Sequence, residues 1–283
     1  MPPRDWSSSP ARPFLKRGWS EVVPAVSQTD VYWSVMQLGS SLALVLAPFV
    51  GSFLGVVIER LPAGRPMVFG RSACDHCGDT LRARDLIPLV SYLALRGWCS
   101  CGRARLSWFH PGIELAALAI ALSAATVLSG WLLWVSLGLG WTLLTLAVID
   151  SREFVLPDVI TRPLIPAGFV VAWMVDPALL VGHTLGALAG FVTFAAIAGA
   201  YRQARGRDGL GLGDAKLLAA AGAWLGWQAL PSVVMIAAAS GLALALAISL
   251  GGAKLAWTSR IAFGPHVALA FWLVWLFGPV VIG

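Results

Sequence analysis

The chain has 283 residues, of which 58% are hydrophobic and only 12% are charged. Because a soluble domain carries about 25% charged residues, this composition excludes a water-soluble globular protein and favours a chain that crosses a membrane several times. The formal net charge is +6, but the basic residues flank the apolar stretches. We therefore interpret them as determinants of membrane topology and expect no binding of nucleic acid.

Residues 1–30 lack the apolar core of a cleavable signal peptide. We predict that they form a disordered N-terminal tail. Their basic residues favour the cytoplasm, whereas the charge pattern of the rest of the chain assigns this tail to the other side. The sequence leaves open which side the tail occupies.

Apolar stretches that are almost free of charged residues predict the membrane spans. A helical span needs about 20 apolar residues, so residues 31–59 predict the first transmembrane helix, and the longer stretches 115–149 and 217–253 predict helical hairpins. Small, polar or proline residues predict their turns near 129–130 and 227–231. The remaining predicted spans lie at 159–175, at 178–201 and at 261–283. We predict an all-α integral membrane protein, a bundle of about eight transmembrane helices.

Arginine and lysine occupy alternate connections between the predicted spans. This alternation places the basic connections in the cytoplasm. The longest connection, residues 60–111, is predicted to be a small cysteine-rich cytoplasmic insertion between the first and second helices. Residues 112–283 are predicted to form the rest of the bundle, helices 2 to 8.

All four cysteines lie in this insertion, as Cys74 and Cys77 and then Cys99 and Cys101. Two close pairs in a segment too short to bury its own core are typical of a structural zinc site with four thiolate ligands. The second pair, C-x-C, is tighter than the usual C-x-x-C. Unmetallated thiols remain an alternative, and so do disulfides, which a cytoplasmic location disfavours.

Two aspartates are predicted to lie at membrane depth. Asp150 ends the third span, and the span containing Asp214 must begin near residue 210 to be long enough. Both aspartates then lie at cytoplasmic helix ends, on one face of the membrane, where ionisable residues are candidates for function. Two carboxyl groups in a low-dielectric site share one proton, so one can activate water while the other polarises a carbonyl, as in aspartic proteases.

Four neighbouring residues are candidate supporting groups of this site. Gly211 and Gly213 would let a peptide backbone approach Asp214. For Lys216 we favour contact with lipid headgroups over an effect on Asp214. For Asp158 we favour capping of the fourth helix over a catalytic role.

Other polar residues and glycines are interpreted as structural. Glu59 and Glu114 are expected to be solvated helix ends or partners of an arginine. His183 and His266 are expected to be buried and hydrogen-bonded. Three glycines at helical spacing are expected to allow close helix packing: Gly182, Gly186 and Gly190.

The ordered motifs of the chain resemble those of the bacterial prepilin peptidases, also called type IV leader peptidases, a family of GxGD membrane aspartyl proteases. The motifs are GSFLGVVIERLP (51–62), DLIPLVSYLALRG (85–97), HPGIEL (110–115), IDSREFVLPD (149–158), GLGDAK (211–216) and AFGPH (262–266). The resemblance implies that Asp150 and Asp214 are the catalytic pair.

The resemblance also implies a substrate and a location. The family acts at the cytoplasmic face of the bacterial inner membrane, where it removes the short basic leader of type IV prepilin-like or type II secretion pseudopilin precursors. Many members then N-methylate the new N-terminus with S-adenosylmethionine. Gly55 replaces the family's usual asparagine, and the second cysteine pair is one residue short. Both departures lie in the region tied to methylation, so this activity is left open, as is the oligomeric state.

Two alternative functions are considered. One is an intramembrane protease of the presenilin or signal-peptide-peptidase kind, which Ile149 disfavours because that group has tyrosine before its first aspartate. The other is a non-enzymatic ion-handling protein that uses Asp150, Asp158 and Asp214 as ligands. Transporters of this kind carry matching repeats, and we find none in the chain.

Overall fold

The computed structural model describes residues 30–66, 89–98, 105, 107–206, 211–252 and 262–280. Residues 1–29 of the predicted N-terminal tail lie outside the described residues, and so do all four cysteines; Asp30, the last residue of that predicted tail, is helical. The disorder of the tail, the zinc site and the boundaries of the cytoplasmic insertion therefore stay predictions.

Eight long helices make up most of the described chain. They are α1 (Asp30–Arg60), α2 (Phe109–Ala125), α3 (Gly130–Glu153), α4 (Asp158–Val175), α5 (Leu180–Arg205), α6 (Leu212–Leu225), α7 (Leu230–Leu250) and α8 (Gly264–Phe277). Shorter elements are the helix Val90–Ala94 and the 3-10 helices Pro177–Leu179 and Trp227–Ala229. Apart from an isolated antiparallel bridge between Trp98 and Arg105, regular structure in the described ranges is helical.

The lengths of the helices confirm a multi-pass membrane protein. Among the described residues, five segments are long and apolar enough to cross a membrane: Leu38–Arg60, Gly130–Glu153, Asp158–Val175, Pro177–Ala204 and Trp227–Leu250. The helices α2 and α8 are apolar but shorter. At a rise of about 1.5 Å per residue, α6 is only about 21 Å long. The count of eight spans therefore stays a prediction.

Two of the predicted turns are confirmed. The first hairpin turns between Ala125 and Gly130, and Gly130 adopts a positive φ of 61° that favours glycine. The second turns through the 3-10 helix Trp227–Ala229, before α7 begins at Leu230. A run of small and proline residues thus marked each turn in the sequence.

The bundle consists of two groups of helices joined by α8. The helices α1, α2 and α3 contact one another, and α6 is surrounded by α4, α5, α7 and α8. Because α8 also contacts α3, it connects the two groups. Side chains on α6 are buried almost without a break from Asp214 to Trp224, so α6 is the central helix of the second group.

The helices α5 and α6 approach so closely that their contact requires glycine. A Cβ atom added to Gly222 would lie 2.2 Å from the carbonyl carbon of Gly186, and one added to Gly190 would lie 2.6 Å from the carbonyl oxygen of Leu218. The prediction of close packing is confirmed for Gly186 and Gly190. It is wrong for Gly182, whose added Cβ would meet no atom nearer than 3.8 Å.

Candidate active site

The structure brings Asp150 and Asp214 to the same end of the bundle. Asp150 lies in the last turn of α3 and is 6% exposed, and Asp214 lies in the first turn of α6 and is 7% exposed. Leu156, six residues after Asp150, packs against Gly213, the residue before Asp214. We expected both aspartates on one face of the membrane, and the end of α3 and the start of α6 place them at one end of the bundle.

The carboxylate of Asp150 is held by the start of α8. The backbone N–H of Gly264 donates a hydrogen bond of 3.0 Å to Oδ2 of Asp150. A Cβ atom added to Gly264 would lie 2.7 Å from the same oxygen, so any larger residue would displace the carboxylate. We did not assign a role to Gly264 from the sequence, although it lies in the AFGPH motif that contributes to the family resemblance.

The carboxyl group of Asp214 is held on one oxygen only. The backbone N–H of Gly211 donates to Oδ2 at 3.3 Å, closing the first turn of α6. The other oxygen, Oδ1, is buried and has no hydrogen-bond partner among the described residues. Because buried polar atoms are normally paired, Oδ1 is the atom of the site that is free to bind a proton or a substrate.

The two glycines of the GxGD motif have different surroundings. A Cβ atom added to Gly213 would lie 2.9 Å from Cβ of Leu156, which belongs to the loop between α3 and α4. One added to Gly211 would meet no atom nearer than 3.6 Å. The expectation that both glycines admit a substrate backbone is therefore wrong for Gly213, which instead admits the loop that follows Asp150.

Asp158 and Lys216 form an ion pair beside the two buried aspartates. Nζ of Lys216 donates to Oδ1 of Asp158 at 2.5 Å, and Arg162 donates to Oδ2 at 2.6 Å. Asp158 is the first residue of α4 and does not cap the helix, so that prediction is wrong. The prediction for Lys216 is also wrong: its ammonium group binds Asp158 because the start of α6 packs against α4.

Glu59 lies half exposed at the end of α1, and its partner is a histidine. Glu59 is thus the solvated helix end that we expected, and its Oε2 lies 3.7 Å from Nε2 of His110. The guanidinium of Arg152 lies 3.9 Å over the ring of Phe109. A Cβ atom added to Gly55 would lie 2.5 Å from Nδ1 of His110, so the ring occupies the space that a larger residue would need.

Glu114 is buried, contrary to prediction. Its side chain is 5% exposed and accepts a hydrogen bond of 2.8 Å from the N–H of Leu89. The helices α1 and α2 pack so closely here that a Cβ atom on Gly51 would lie 2.6 Å from Cα of Glu114. Glu114 therefore faces the helix interface rather than water.

The two intramembrane histidines are buried and hydrogen-bonded, as predicted. Nδ1 of His183 donates to the carbonyl oxygen of Ala223 at 2.8 Å, and Nδ1 of His266 is 3.0 Å from the hydroxyl of Ser240. His183 thereby connects α5 to α6, and His266 connects α8 to α7.

The described residues give no test of the predicted zinc site. Its four cysteine ligands lie outside them, and within them no group of three His, Cys, Asp or Glu residues could hold a metal ion. The supporting residues that the structure does bring together are those that hold or flank the two aspartates: Gly264, Gly211, Gly213, Leu156, Asp158 and Lys216.

Two family models match the chain. Residues 45–128 match the Bacterial Peptidase A24 N-terminal domain, and residues 137–246 match the Type IV leader peptidase family. The two matches contain Glu59, Glu114, Asp150 and Asp214. They do not reach Gly264.

Several curated proteins named prepilin leader peptidase/N-methyltransferase are similar to this chain over most of its length. The protein of Burkholderia pseudomallei (strain 1026b) is 40% identical over 260 residues, which cover 82% of this chain and 83% of its own. That of Dickeya chrysanthemi is 40% identical, covering 80% of this chain and 88% of its own. That of Aeromonas hydrophila is 34% identical, and the match covers 84% of this chain and 90% of the relative. No solved structure matches the chain.

Proposed function

This chain belongs to the type IV leader peptidase family, and we propose that Asp150 and Asp214 are the catalytic pair with which it removes the leader peptide from prepilins. The observation that carries the assignment is the presence of two buried carboxyl groups at one end of the bundle, with Oδ1 of Asp214 unpartnered among the described residues. The relatives that match four fifths of the chain are named prepilin leader peptidase/N-methyltransferase. They also favour leader cleavage over the functions of an intramembrane protease or an ion-handling protein.

The contacts of the two carboxyl groups suggest different roles in peptide hydrolysis. Asp150, whose Oδ2 accepts the N–H of Gly264, is the carboxylate that removes a proton from water. Oδ1 of Asp214 accepts no hydrogen bond from any described residue, so it carries the shared proton and donates it to the oxygen of the scissile carbonyl.

The reaction then follows from these two positions. The hydroxide formed at Asp150 attacks the carbonyl carbon, and the carbonyl oxygen takes the proton of Asp214, which gives a neutral tetrahedral intermediate. Collapse of the intermediate breaks the C–N bond, the proton on Asp150 passes to the leaving amine, and Asp214 regains a proton from the intermediate. Both carboxyl groups end as they began.

We propose that cleavage occurs at the cytoplasmic face of the bacterial inner membrane. The helix ends that carry Glu59, His110, Asp150 and Asp158 lie on the same side as Asp214, and the connections beyond them are the basic ones. A type IV prepilin or a type II secretion pseudopilin precursor would lay its apolar helix against the bundle. Its basic leader would then reach the two aspartates from the cytoplasm.

A second activity, N-methylation of the new N-terminus, is supported by the names of the relatives. S-adenosylmethionine would supply the methyl group. Gly55 and the short cysteine pair that ends at Cys101 depart from the family pattern, and they lie near or inside the insertion at 60–111. We propose that this insertion is a domain stabilised by zinc that holds the leader.

The test of the catalytic pair is the mass of a prepilin co-expressed with each enzyme variant. We expect loss of the leader with the wild-type enzyme and none with Asp150→Asn or Asp214→Asn. The matched control is Asp176→Asn, because Asp176 caps the 3-10 helix at the opposite end of the bundle and should leave cleavage unchanged. Cleavage at the wild-type rate by either catalytic variant would refute the assignment.

The same spectra test the proposed N-methylation, and a metal assay tests the proposed zinc site. One added methyl group on the mature pilin N-terminus indicates methylation, and its absence with complete leader removal indicates a peptidase alone. Replacing Cys74 and Cys77 by serine is expected to remove bound zinc from the purified protein. Unchanged zinc content in that variant would contradict the proposed zinc site.

A further inference from the structure

We propose that the segment Leu89–Trp98, together with Trp108, is an interfacial membrane anchor that inserts apolar and aromatic side chains into the headgroup region of the cytoplasmic leaflet. The proposal rests on the proposed orientation, with this end of the bundle at the cytoplasmic face, and it does not depend on which residues cleave the substrate. Its occupant is the lipid bilayer in which the bundle itself lies.

The short helix Val90–Ala94 exposes its apolar side chains. None of its residues is buried, and Val90 and Leu93, which share a face at i and i+3, are 59% and 73% exposed. A five-residue helix has little stability of its own, and exposed apolar groups add none in water. The helix therefore needs an apolar surface to cover this face.

The segment is attached to the start of α2. The N–H of Leu89 donates to the buried carboxylate of Glu114 in the second turn of α2, and Leu89 itself adopts a φ of 56° that non-glycine residues rarely take. The ring of Tyr92 packs at 4.9 Å from that of Trp108, directly before α2 begins. Two contacts thus hold the segment beside the first turns of α2.

The residues that follow the short helix match the chemistry of a headgroup layer. Trp98 is 42% exposed and Trp108 is 72% exposed, and tryptophan is enriched at membrane interfaces because it has a large apolar ring with one polar N–H. Arg96 is exposed, and the guanidinium of Arg105 lies 5.3 Å from the centre of the Trp98 ring. Cations at this level attract the anionic lipids of the cytoplasmic leaflet.

The exposed face of the segment is continuous with the lipid-facing side of the bundle. Along α2, the exposed apolar residues after Trp108 are Leu115 and Leu122, at 51% and 55% exposure. Trp108 therefore joins the outer surface of α2 to the short helix. A bilayer that covers α2 would reach the segment without a further partner.

The test is lipid photo-crosslinking of the full-length protein in nanodiscs of phosphatidylcholine and phosphatidylglycerol. A diazirine-bearing phenylalanine analogue replaces Leu93 or Trp108, and lipid adducts are counted by mass spectrometry. Leu242, 62% exposed on α7, is the positive control, and Ala63, exposed in the turn after α1, is the control outside the apolar surface. We expect adducts at Leu93 and Trp108 to be within about threefold of those at Leu242 and several-fold above those at Ala63.

A second variant separates anchoring from misfolding. Leu93→Asp places a charge on the exposed face and should reduce adducts at the Trp108 probe several-fold, while adducts at Leu242 stay unchanged because the bundle is intact. Adducts at Leu93 no more frequent than at Ala63 would overturn the proposal. It would also be overturned if a co-reconstituted prepilin formed the adducts at Leu93 in place of lipid, because the occupant would then be the substrate.

Discussion

The hydrogen bond from α8 to Asp150 makes Gly264→Ala a sharp test of the active site. The added Cβ would lie 2.7 Å from Oδ2, 3.0 Å from Cγ and 3.3 Å from Cβ of Asp150, well inside the roughly 3.5–4.0 Å at which such atoms rest in contact. Both partners are constrained, because Gly264 begins a buried helix and Asp150 has a short side chain on another. The carboxylate must therefore move and lose the N–H of Gly264.

The expected loss follows from the energy of that bond. A hydrogen bond to a charged group contributes roughly 1.5–3 kcal/mol, and about 1.36 kcal/mol corresponds to a tenfold change in rate. Gly264→Ala should therefore lower kcat/KM for a prepilin by roughly 10- to 150-fold, mostly through kcat, because the carboxylate acts in the transition state.

The assay is leader cleavage by purified enzyme, with activity expressed per amount of monodisperse, folded protein. Gly138→Ala is the matched control: Gly138 lies exposed on α3, and an added Cβ would meet no atom within 4 Å. We expect this control to keep full activity. If folded Gly264→Ala enzyme retained more than half of the wild-type kcat/KM, the N–H of Gly264 would not be positioning Asp150.

Three further outcomes are expected from the same cleavage assay. Gly213→Ala should reduce activity far more than Gly211→Ala, because only at Gly213 would the new Cβ overlap the loop after Asp150; equal activities would contradict that contact. Asp158→Asn and Lys216→Met should each lower kcat/KM roughly two- to fivefold. The double variant should be no worse than Asp158→Asn alone, because that change already removes the ion pair with Lys216, along with the one to Arg162. Additive losses would show that Asp158 and Lys216 act independently. Gly55→Asn should leave cleavage and folding intact, because the His110 ring that the new side chain displaces is half exposed. Any effect should appear in the methylation of the product, and a loss of cleavage would contradict this expectation.

The sequence was sufficient to predict those features that depend on local composition. Charge-free stretches predicted a multi-pass helical protein, and small or proline residues predicted the turns before Gly130 and Leu230. Because a span needs about 20 residues, the sequence predicted that Asp214 lies at membrane depth, and the burial of Asp214 agrees with that prediction. The same span argument placed Asp150 at a helix end on that side, and the family motifs predict that it is the catalytic partner of Asp214.

Contacts between distant segments could not be predicted from composition. Gly264 is 114 residues from Asp150, and Lys216 is 58 residues from Asp158, so nothing near either partner in the sequence indicates the contact. The burial of Glu114 has the same origin, because it follows from the close approach of α1 and α2. Glu114 and Lys216 were expected at the surface, but the approach of a second helix gives each of them a partner inside the protein.

The position of α8 explains how two aspartates on separate groups of helices come to form one site. Asp150 belongs to the group α1–α3 and Asp214 to the group around α6, and α8 contacts both α3 and α6. Its N-terminal residue holds Asp150, while farther along Trp275 donates to Ser136 of α3 at 2.8 Å and packs at 5.3 Å against Trp224 of α6. The separation of the two carboxyl groups is therefore set by α8 as much as by the GxGD turn. The family model that matches the segment with both aspartates ends at residue 246, so its match does not include α8.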